Sequence, residues 1–196
     1  MKILVATKNP AKLGEMLRFL GDGFELTTLS ADAPVVQESG TTFEENAILK
    51  ASAYSQWSGM PTIADDGGLE IDALGGEPGV RSRRWPGHEA TDRELIDLAL
   101  KKLEGVPHER RSARLRTAGA FVDGYRTLLA TGGIDGYIVQ ESVGDCEPGY
   151  PFRSIFWVPR FGKLYRDLTP SEHDTVNHRR DVYHRLAHGI LSGASS

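Results

Sequence analysis

The first residues of the chain restrict its fold most strongly. Residues 2–6 form a continuous apolar run that turns polar at Thr7, a pattern typical of a short buried strand. Asn9 can cap a following helix, and Pro10 suits the first helical position. The helix is marked by apolar residues at helical spacing, namely Leu13, Met16, Leu17 and Leu20. A strand, a polar loop and a helix in this order make half of a βα unit, which indicates an α/β chain.

Three further helices are predicted from cap signals and apolar stripes. The second begins at Thr42 and Glu45, which have capping-box spacing, and ends near Gly59. Its stripe consists of Phe43, Ala47, Ala51 and Tyr54. Thr91 and Glu94 open the third helix, whose apolar residues are Leu95, Leu98, Ala99 and Leu103. The C-terminal helix carries Val176, Tyr183, Leu186, Ala187 and Ile190.

Strands are predicted from apolar runs bounded by turn residues. Residues 62–64 and 69–74 are expected to be two strands joined by an acidic turn. Residues 113–122 and 125–131 flank Asp123-Gly124, a signal for a two-residue hairpin turn, so this part of the sheet is expected to be antiparallel. Residues 155–158 are predicted to be the last interior strand. No domain boundary is visible, and residues 1–196 are interpreted as a single domain.

Composition narrows the class of protein. The 196 residues carry a net charge of -4 and are 39% hydrophobic, which is typical of a globular protein without a sequence-independent grip on nucleic acid. The apolar N-terminal run is too short for a signal peptide or a membrane span. Cys146 is the only cysteine, which favours a reducing compartment and predicts a cytoplasmic protein.

The strongest chemical signal is the pair Asp65-Asp66, which follows an apolar segment. Two adjacent carboxylates there repel each other and lose hydration unless a cation or hydrogen-bond donors compensate. Hard divalent cations prefer such oxygen ligands. Gly67 and Gly68 are expected to turn the backbone sharply and to let a ligand approach. An acidic turn without function is the alternative.

The first loop, Thr7-Lys8-Asn9-Pro10-Ala11-Lys12, is a candidate phosphate site. It lies where a strand meets a helix N-terminus, whose amides and dipole attract phosphate oxygens, and Lys12 adds a positive charge. A helix cap beside a solvated lysine is an equally good interpretation of this loop alone. Together, the loop and the acidic pair suggest a magnesium-dependent enzyme acting on a nucleoside triphosphate.

Other polar residues are weaker candidates. Asn46 and Lys50 lie on one face of the second helix, where a solvated face is the simpler interpretation, and Glu38 is either a metal ligand or an exposed acid. Asn177, His178 and Arg179 at the start of the last helix offer donors for a purine edge, or only helix-terminal polarity. His173 and Phe152 are further candidates, and the role of the cationic segment formed by Arg81, Arg83 and Arg84 stays open.

The order of these motifs resembles the inosine triphosphate pyrophosphatase family, also called Ham1-like or RdgB-like. The motifs are TKNPAK, ESGTTFEENAILKA, IADDGGLEIDALGGEPGV and NHR. The resemblance implies a homodimeric α/β enzyme with a long, mixed, twisted sheet flanked by helices and an active-site cleft between two lobes. It also implies Mg²⁺-dependent hydrolysis of deaminated purine nucleoside triphosphates to monophosphate and pyrophosphate.

By motif position, the resemblance makes Asp66 the general base. The acids expected to bind the metal are Glu38, Asp65 and Asp66. The substrate-binding residues expected are Thr7, Lys8, Asn9, Lys12, Asn46, Lys50, Gly67, Phe152, Arg153, His173, His178 and Arg179.

The sequence departs from the family in the half that binds the base. Gly67 replaces a usual serine, His173 a usual lysine and Asn177 a usual serine, and the segment around Arg153 lacks the family's aspartate. Reaction type is therefore better defined than base preference. Two alternatives stay open: a Maf-type pyrophosphatase or a member with shifted base preference, and a catalytically silent nucleotide-binding module.

Overall fold

A seven-stranded sheet organises the chain in the computed structural model, which describes residues 1–142 and 144–193. The strands are β1 (Lys2–Val5), β2 (Glu25–Thr28), β3 (Thr62–Ile71), β4 (Ser112–Val122), β5 (Thr127–Ile138), β6 (Phe156–Val158) and β7 (Lys163–Leu164). The α-helices are α1 (Pro10–Leu20), α2 (Phe43–Ser58), α3 (Asp92–Lys102), α4 (Pro170–Val176) and α5 (His178–Gly193). Within these described residues, no helix is long and apolar enough to cross a bilayer.

The sheet is mixed, in the order β2-β1-β3-β4-β5-β6-β7. β1 runs parallel to both β2 and β3, whereas β6 is antiparallel to β5 and β7. Four residues join the neighbouring strands β4 and β5, too few for a parallel crossover, so the hairpin prediction is confirmed. The predicted α/β class with a mixed sheet and helices is confirmed as well.

The acidic turn predicted at residues 65–68 is wrong. β3 continues from Thr62 to Ile71 through both aspartates and both glycines, and only the end of the predicted second strand departs, as a 3₁₀ turn at Asp72–Leu74. Gly67 and Gly68 therefore lie in extended strand. The prediction failed because acidic and glycine residues are typical of turns, whereas here buried cations compensate the carboxylates and the strand persists.

Cap chemistry explains where the helices begin. Asn9 caps α1 with Pro10 in its first turn, and the Thr42 hydroxyl accepts a hydrogen bond from the Glu45 amide at 3.1 Å. Thr91 and Glu94 form a reciprocal capping box at α3, so the predicted starts of these three helices are confirmed.

Three local predictions are wrong in detail. Leu17 of α1 is 41% exposed, and Phe19 is buried in its place. The hairpin turn is centred one residue later, because the Asp123 amide bonds the Arg126 carbonyl across Gly124-Tyr125. Val176 ends α4 rather than belonging to α5.

The chain divides into two compact units. Unit 1 comprises Met1–Gly67, Thr117–Gly132 and His178–Ser196, and unit 2 comprises Gly68–Arg116 and Gly133–Asn177. Each has its own apolar core. In unit 1, α1 packs on α5, and the core consists of residues such as Ile3, Met16, Phe121, Tyr183 and Leu186. The core of unit 2 includes Leu69, Leu95, Ala99, Phe156 and Tyr165. The interpretation of residues 1–196 as a single domain stays a prediction.

Candidate active site

The candidate site in unit 1 lies where β1 ends, beside the middle of the parallel strand β3. Val5, the last residue of β1, is in register with Ile63 of β3, and the Ala6 amide bonds the Ile63 carbonyl at 2.8 Å. Asp65 and Asp66 therefore follow just beyond the end of β1, near the loop that leads into α1. Ligands of open α/β sheets bind at this edge, where strands give way to loops and helix N-termini.

The two aspartates have different partners. Successive side chains of a strand point to opposite faces, and the carboxylate of Asp65, which is 1% exposed, lies against Lys12 and Arg179. The Lys12 Nζ is 3.4 Å from Asp65 Oδ2, and the same oxygen accepts a hydrogen bond from the Arg179 guanidinium. Arg179 also pairs with Glu15 at 3.5 Å. Among the described residues, no donor reaches Asp65 Oδ1.

Asp66 instead faces α2. Its Oδ2 accepts a hydrogen bond from the Asn46 amide nitrogen at 3.1 Å, and its Oδ1 lies 3.6 Å from Lys50 Nζ. Lys50 also donates to Glu38 Oε1 at 2.7 Å. The ammonium of Lys50 thus contacts two carboxylates that are distant in sequence, which brings Glu38, Lys50 and Asp66 together as the resemblance implied.

Asn46 is buried, contrary to the simpler interpretation of a solvated face. It is 1% exposed, and its side-chain oxygen accepts a hydrogen bond from the Gly40 amide at 2.8 Å. A β-carbon on Gly40 would lie 2.6 Å from that oxygen, so only glycine fits without displacement of Asn46. The close approach of Gly40 therefore fixes the amide that orients Asp66.

Three backbone amides of the first loop already have hydrogen-bond partners within the loop. The Asn9 side chain accepts from the Ala11 and Lys12 amides at 2.9 and 3.3 Å, and the Asn9 amide bonds Thr7 Oγ1 at 3.2 Å. The Lys8 ammonium is bound to the Ala33 carbonyl at 3.1 Å. Three of the amides that were expected to cradle phosphate are thus already hydrogen-bonded, and the Lys12 ammonium adds a positive charge to the loop.

Burial and neighbouring charges shift the pKa values of the two aspartates in opposite directions. Burial alone would raise the pKa of Asp65, but Lys12 and Arg179 outweigh it and hold that pKa below its ordinary value. Burial raises the pKa of Asp66, because Lys50 and Lys12 offset it only in part. A carboxylate with a raised pKa is a better proton acceptor than an ordinary one.

The pKa values of Lys12 and Lys50 are also shifted in opposite directions. Burial lowers the pKa of Lys12, and the neighbouring Asp65 carboxylate restores only part of the difference. For Lys50, burial alone would lower the pKa, but the negative charges of Asp66 and Glu38 outweigh it and raise the pKa. Lys50 is therefore held firmly in its charged form.

The predicted base contacts of unit 2 form a separate group. Phe152 is 6% exposed and packs edge-to-face on Trp85 at 6.5 Å, and Arg153 is 4% exposed. The Arg153 guanidinium stacks over Tyr150 at 3.6 Å. Arg153 and His173 share the ring of Tyr165, at 4.9 and 5.2 Å from its centroid.

A further contact within unit 2 holds the Arg153 side chain in place. The Arg153 guanidinium donates to the Glu147 carboxylate at 3.0 and 3.1 Å. Asn177, the other residue that departs from the family, is buried as the C-cap of α4. The role of these side chains in base binding stays a prediction. The active-site cleft between two lobes, which the resemblance implies, also stays a prediction.

Sequence reasoning missed two members of the network in unit 1. Glu15 lies one turn after Lys12 on α1, so their i, i+3 spacing could have indicated a shared face. Gly40 carries no such signal, because its importance depends on the position of Asn46 in the folded chain.

Two carboxylates in this site fit a divalent cation. Glu38 and Asp66 converge on one positive charge, that of Lys50, and carboxylate oxygens suit hard cations. In the described part of the chain, no group of three or more His, Cys, Asp or Glu side chains could hold a metal ion. Mg²⁺ needs fewer, because it commonly takes one or two carboxylates together with substrate phosphates and water. The participation of Asp65 stays a prediction.

Comparison with known proteins gives matches along almost the whole chain. Residues 3–188 match the model of the Ham1 family. A dITP/XTP pyrophosphatase of Geobacillus kaustophilus is 41% identical over 189 residues, covering 94% of this chain and 92% of the relative. The dITP/XTP pyrophosphatase of Bacillus subtilis is 38% identical over 188 residues, with 94% of each chain covered.

Solved structures show the same fold. A HAM1 protein from Coxiella burnetii superposes with a TM-score of 0.86 at 34% identity, covering 98% of this chain and 99% of that one. A nucleoside-triphosphatase, also described as a dITP/XTP pyrophosphatase, from Mycobacterium abscessus gives a TM-score of 0.76 at 36% identity, with 97% and 99% covered.

Proposed function

Because the chain belongs to the Ham1 family, we propose that it hydrolyses ITP, dITP and XTP to the monophosphate and pyrophosphate. The observation that carries this proposal is the buried network in which Lys12 and Lys50 lie against Asp65 and Asp66. Such a network supplies cations for a polyphosphate and a carboxylate with a raised pKa for proton transfer. The names of the relatives support the substrate class and favour it over the Maf-type alternative.

Glu38 and Asp66 are the proposed ligands of Mg²⁺. When bound, Mg²⁺ would neutralise the charge that develops on the leaving pyrophosphate. Asn46 holds the Asp66 carboxylate by one oxygen, so this residue is oriented before any ligand arrives. We propose a different task for Asp65, because Lys12 and Arg179 already neutralise it: it keeps these two cations in place beside β3.

The proposed reaction is an attack of water on the α-phosphorus. Asp66 accepts a proton from the water, a new P–O bond forms, and the bond from the α-phosphorus to the bridging oxygen breaks. Pyrophosphate leaves with that oxygen and its bonding electrons. Lys12 and Lys50 lie beside the two aspartates. Their positive charges are proposed to balance the negative charge of phosphates bound next to Asp66.

Base preference is proposed to follow the 6-oxo group. A donor directed at position 6 pairs with the carbonyl of hypoxanthine or xanthine, whereas adenine presents an amino group there. Phe152, Arg153, His173, His178 and Arg179 are the proposed contacts. Guanine shares the carbonyl, so discrimination against GTP should be weaker than against ATP. We further propose a homodimer, as the resemblance implies, in the cytoplasm, where nucleoside triphosphates are made and used.

A nucleotide panel tests the proposal. ITP, XTP, GTP and ATP are incubated with the purified protein and Mg²⁺, and pyrophosphate release is measured. We expect ITP and XTP to exceed ATP about five- to hundredfold in kcat/KM, the cost of leaving a buried donor unpaired, and chelation of the metal to abolish turnover.

Three results of the panel would contradict the proposal. ATP turnover equal to that of ITP would refute the substrate class. Diphosphate and orthophosphate as primary products would refute the site of cleavage. Absence of all turnover would favour a silent nucleotide-binding module.

A further inference from the structure

Lys50 occupies the position between the two carboxylates that are proposed to hold the metal. Its Nζ lies 2.7 Å from Glu38 Oε1 and 3.6 Å from Asp66 Oδ1. The side chain is only 13% exposed, so these contacts are poorly screened by water. All three residues belong to unit 1.

A divalent cation and Lys50 compete for the same oxygens. The Lys50 ammonium donates to a Glu38 oxygen whose lone pairs a metal would need, and two positive charges repel each other at such distances. Entry of the metal therefore requires the ammonium to leave. Lys50 can do so at small cost, because a lysine carries its charge on a flexible four-carbon stem.

Asp66 would keep its orientation when Lys50 leaves. Its second oxygen is held by Asn46 at 3.1 Å, and Asn46 is held in turn by the Gly40 amide at 2.8 Å. These bonds do not involve Lys50. The exchange of one cation for another therefore needs movement of a single side chain.

We propose that Lys50 is a placeholder cation, which neutralises Glu38 and Asp66 in the ligand-free protein and moves to the phosphates when nucleotide and metal arrive. This inference rests on the proposed function, since it assumes that these acids bind the metal. It has a thermodynamic consequence: metal alone binds weakly, whereas metal and nucleotide strengthen each other's binding by the same factor.

Direct metal binding tests the inference without turnover. Mn²⁺ is titrated into the purified full-length chain in the absence of nucleotide, and free Mn²⁺ is measured by electron paramagnetic resonance. Lys50→Met removes the competing charge, so we expect it to bind Mn²⁺ about tenfold more tightly than the wild type. Lys50→Arg keeps the charge and should remain close to the wild type.

A matched control separates this effect from a general loss of charge. Lys163 also donates to a carboxylate, that of Glu172 at 2.8 Å, but Glu172 is not a proposed metal ligand, so Lys163→Met should leave Mn²⁺ affinity unchanged. Glu38→Gln should weaken Mn²⁺ binding, which identifies the site. If Mn²⁺ binding does not respond to Glu38→Gln, both the proposed metal site and the placeholder role are wrong.

A second titration adds a non-hydrolysable α,β-imido analogue of ITP. In the wild type, the analogue should raise Mn²⁺ affinity, and in Lys50→Met this increase should be smaller by about tenfold, because the competing charge is already gone. Unchanged or weaker Mn²⁺ binding by Lys50→Met, with Glu38→Gln still lowering the affinity, would overturn the placeholder role and leave the proposed metal site standing.

Discussion

Asp65 and Asp66 are adjacent in sequence but act in different surroundings. Because β3 is continuous, one carboxylate lies against Lys12 and Arg179 and the other faces Asn46 and Lys50. Adjacent positions on a strand therefore carry one ionised anchor and one carboxylate that readily accepts a proton. Substitution of each by asparagine should affect different properties.

Asp66→Asn is expected to reduce catalysis with little change in folding. It removes the proposed base and one ligand charge but keeps the shape and the capacity to bond Asn46, so kcat/KM for ITP should fall about 10²- to 10⁴-fold. Asp72→Asn, which removes a half-exposed acid from the following turn, is the control. The measurement is steady-state pyrophosphate release from ITP. A kcat/KM of Asp66→Asn within about threefold of the wild-type value would point to another base.

Asp65→Asn is expected to destabilise the fold. Loss of this charge leaves Lys12 and Arg179 buried together without their shared partner, at a cost of about 3 kcal/mol near neutral pH. Urea unfolding measures the difference. Glu25→Gln, which breaks an exposed pair with Lys2 at 3.5 Å, should change stability by less than about 0.5 kcal/mol.

The pH dependence of stability in the wild type and in Asp65→Asn tests the ionisation of Asp65. The pKa of Asp65 is lowered by folding, so its contribution to stability is complete above the ordinary value of 3.8 and is lost as the pH falls through the lower folded value. The stability difference between the wild type and Asp65→Asn should therefore shrink below pH 3.8. A difference that grows on acidification would show that Asp65 is not held ionised by its partners.

At the scale of elements, the entry to α2 is the most constrained segment of the site. Gly40→Ala should destabilise the chain by about 1–3 kcal/mol, because its β-carbon would meet Asn46 Oδ1 at 2.6 Å and Glu45 Cβ at 2.8 Å. It should also lower kcat/KM, since Asn46 orients Asp66.

Gly14→Ala is the matched control, with the opposite sign expected. Gly14 is exposed inside α1, and nothing lies within 4 Å of an added β-carbon. Alanine there should stabilise the helix by up to about 1 kcal/mol. Urea unfolding of both variants tests the pair, and equal stability of Gly40→Ala and the wild type would show that the loop relaxes freely.

Local signals explain which elements could be predicted. Caps at Asn9, Thr42 and Thr91 identify helix starts, because their chemistry involves only a few neighbouring residues. β2 was missed: its residues are half exposed and lack an apolar run, and its pairing with β1 determines its structure. α4 was missed although Thr169 and Glu172 form a capping box, a signal that the sequence does carry.

The motifs indicate which residues belong to the candidate site but not which of them are in contact. The motifs indicated Lys12, Glu38, Lys50 and Asp66, and the structure brings them into one unit. Which carboxylate meets which cation depends on β3 being a strand, and a charged, glycine-containing segment favoured a turn. Long-range pairing overrides that local preference, so partners could not be assigned from spacing.

At the scale of the whole molecule, ligand binding should be visible as thermal stability. At about 100 times its dissociation constant, the imido analogue of ITP with Mn²⁺ should stabilise the folded chain by about 2.7 kcal/mol, or about 5–11 °C in a chain of this size. Differential scanning fluorimetry measures the midpoint. The corresponding ATP analogue at the same concentration is the control, and an equal shift would contradict selectivity for the 6-oxo purine.

Unit 1 is built from segments that leave the ribosome far apart in time. Asp65 and Arg179 are separated by 114 positions, so at ordinary synthesis rates of about 5–20 residues per second the arginine follows the aspartate by roughly 6–23 s. Likewise, the apolar core of unit 1 against which α1 packs cannot be completed until Tyr183 and Leu186 of α5 have been synthesised. During that interval the nascent chain already contains its acidic pair and both lysines but lacks the guanidinium. Arg179 is therefore the last residue of this network to be synthesised, and an aborted chain that stops before α5 would leave the Asp65 carboxylate with Lys12 but without the guanidinium.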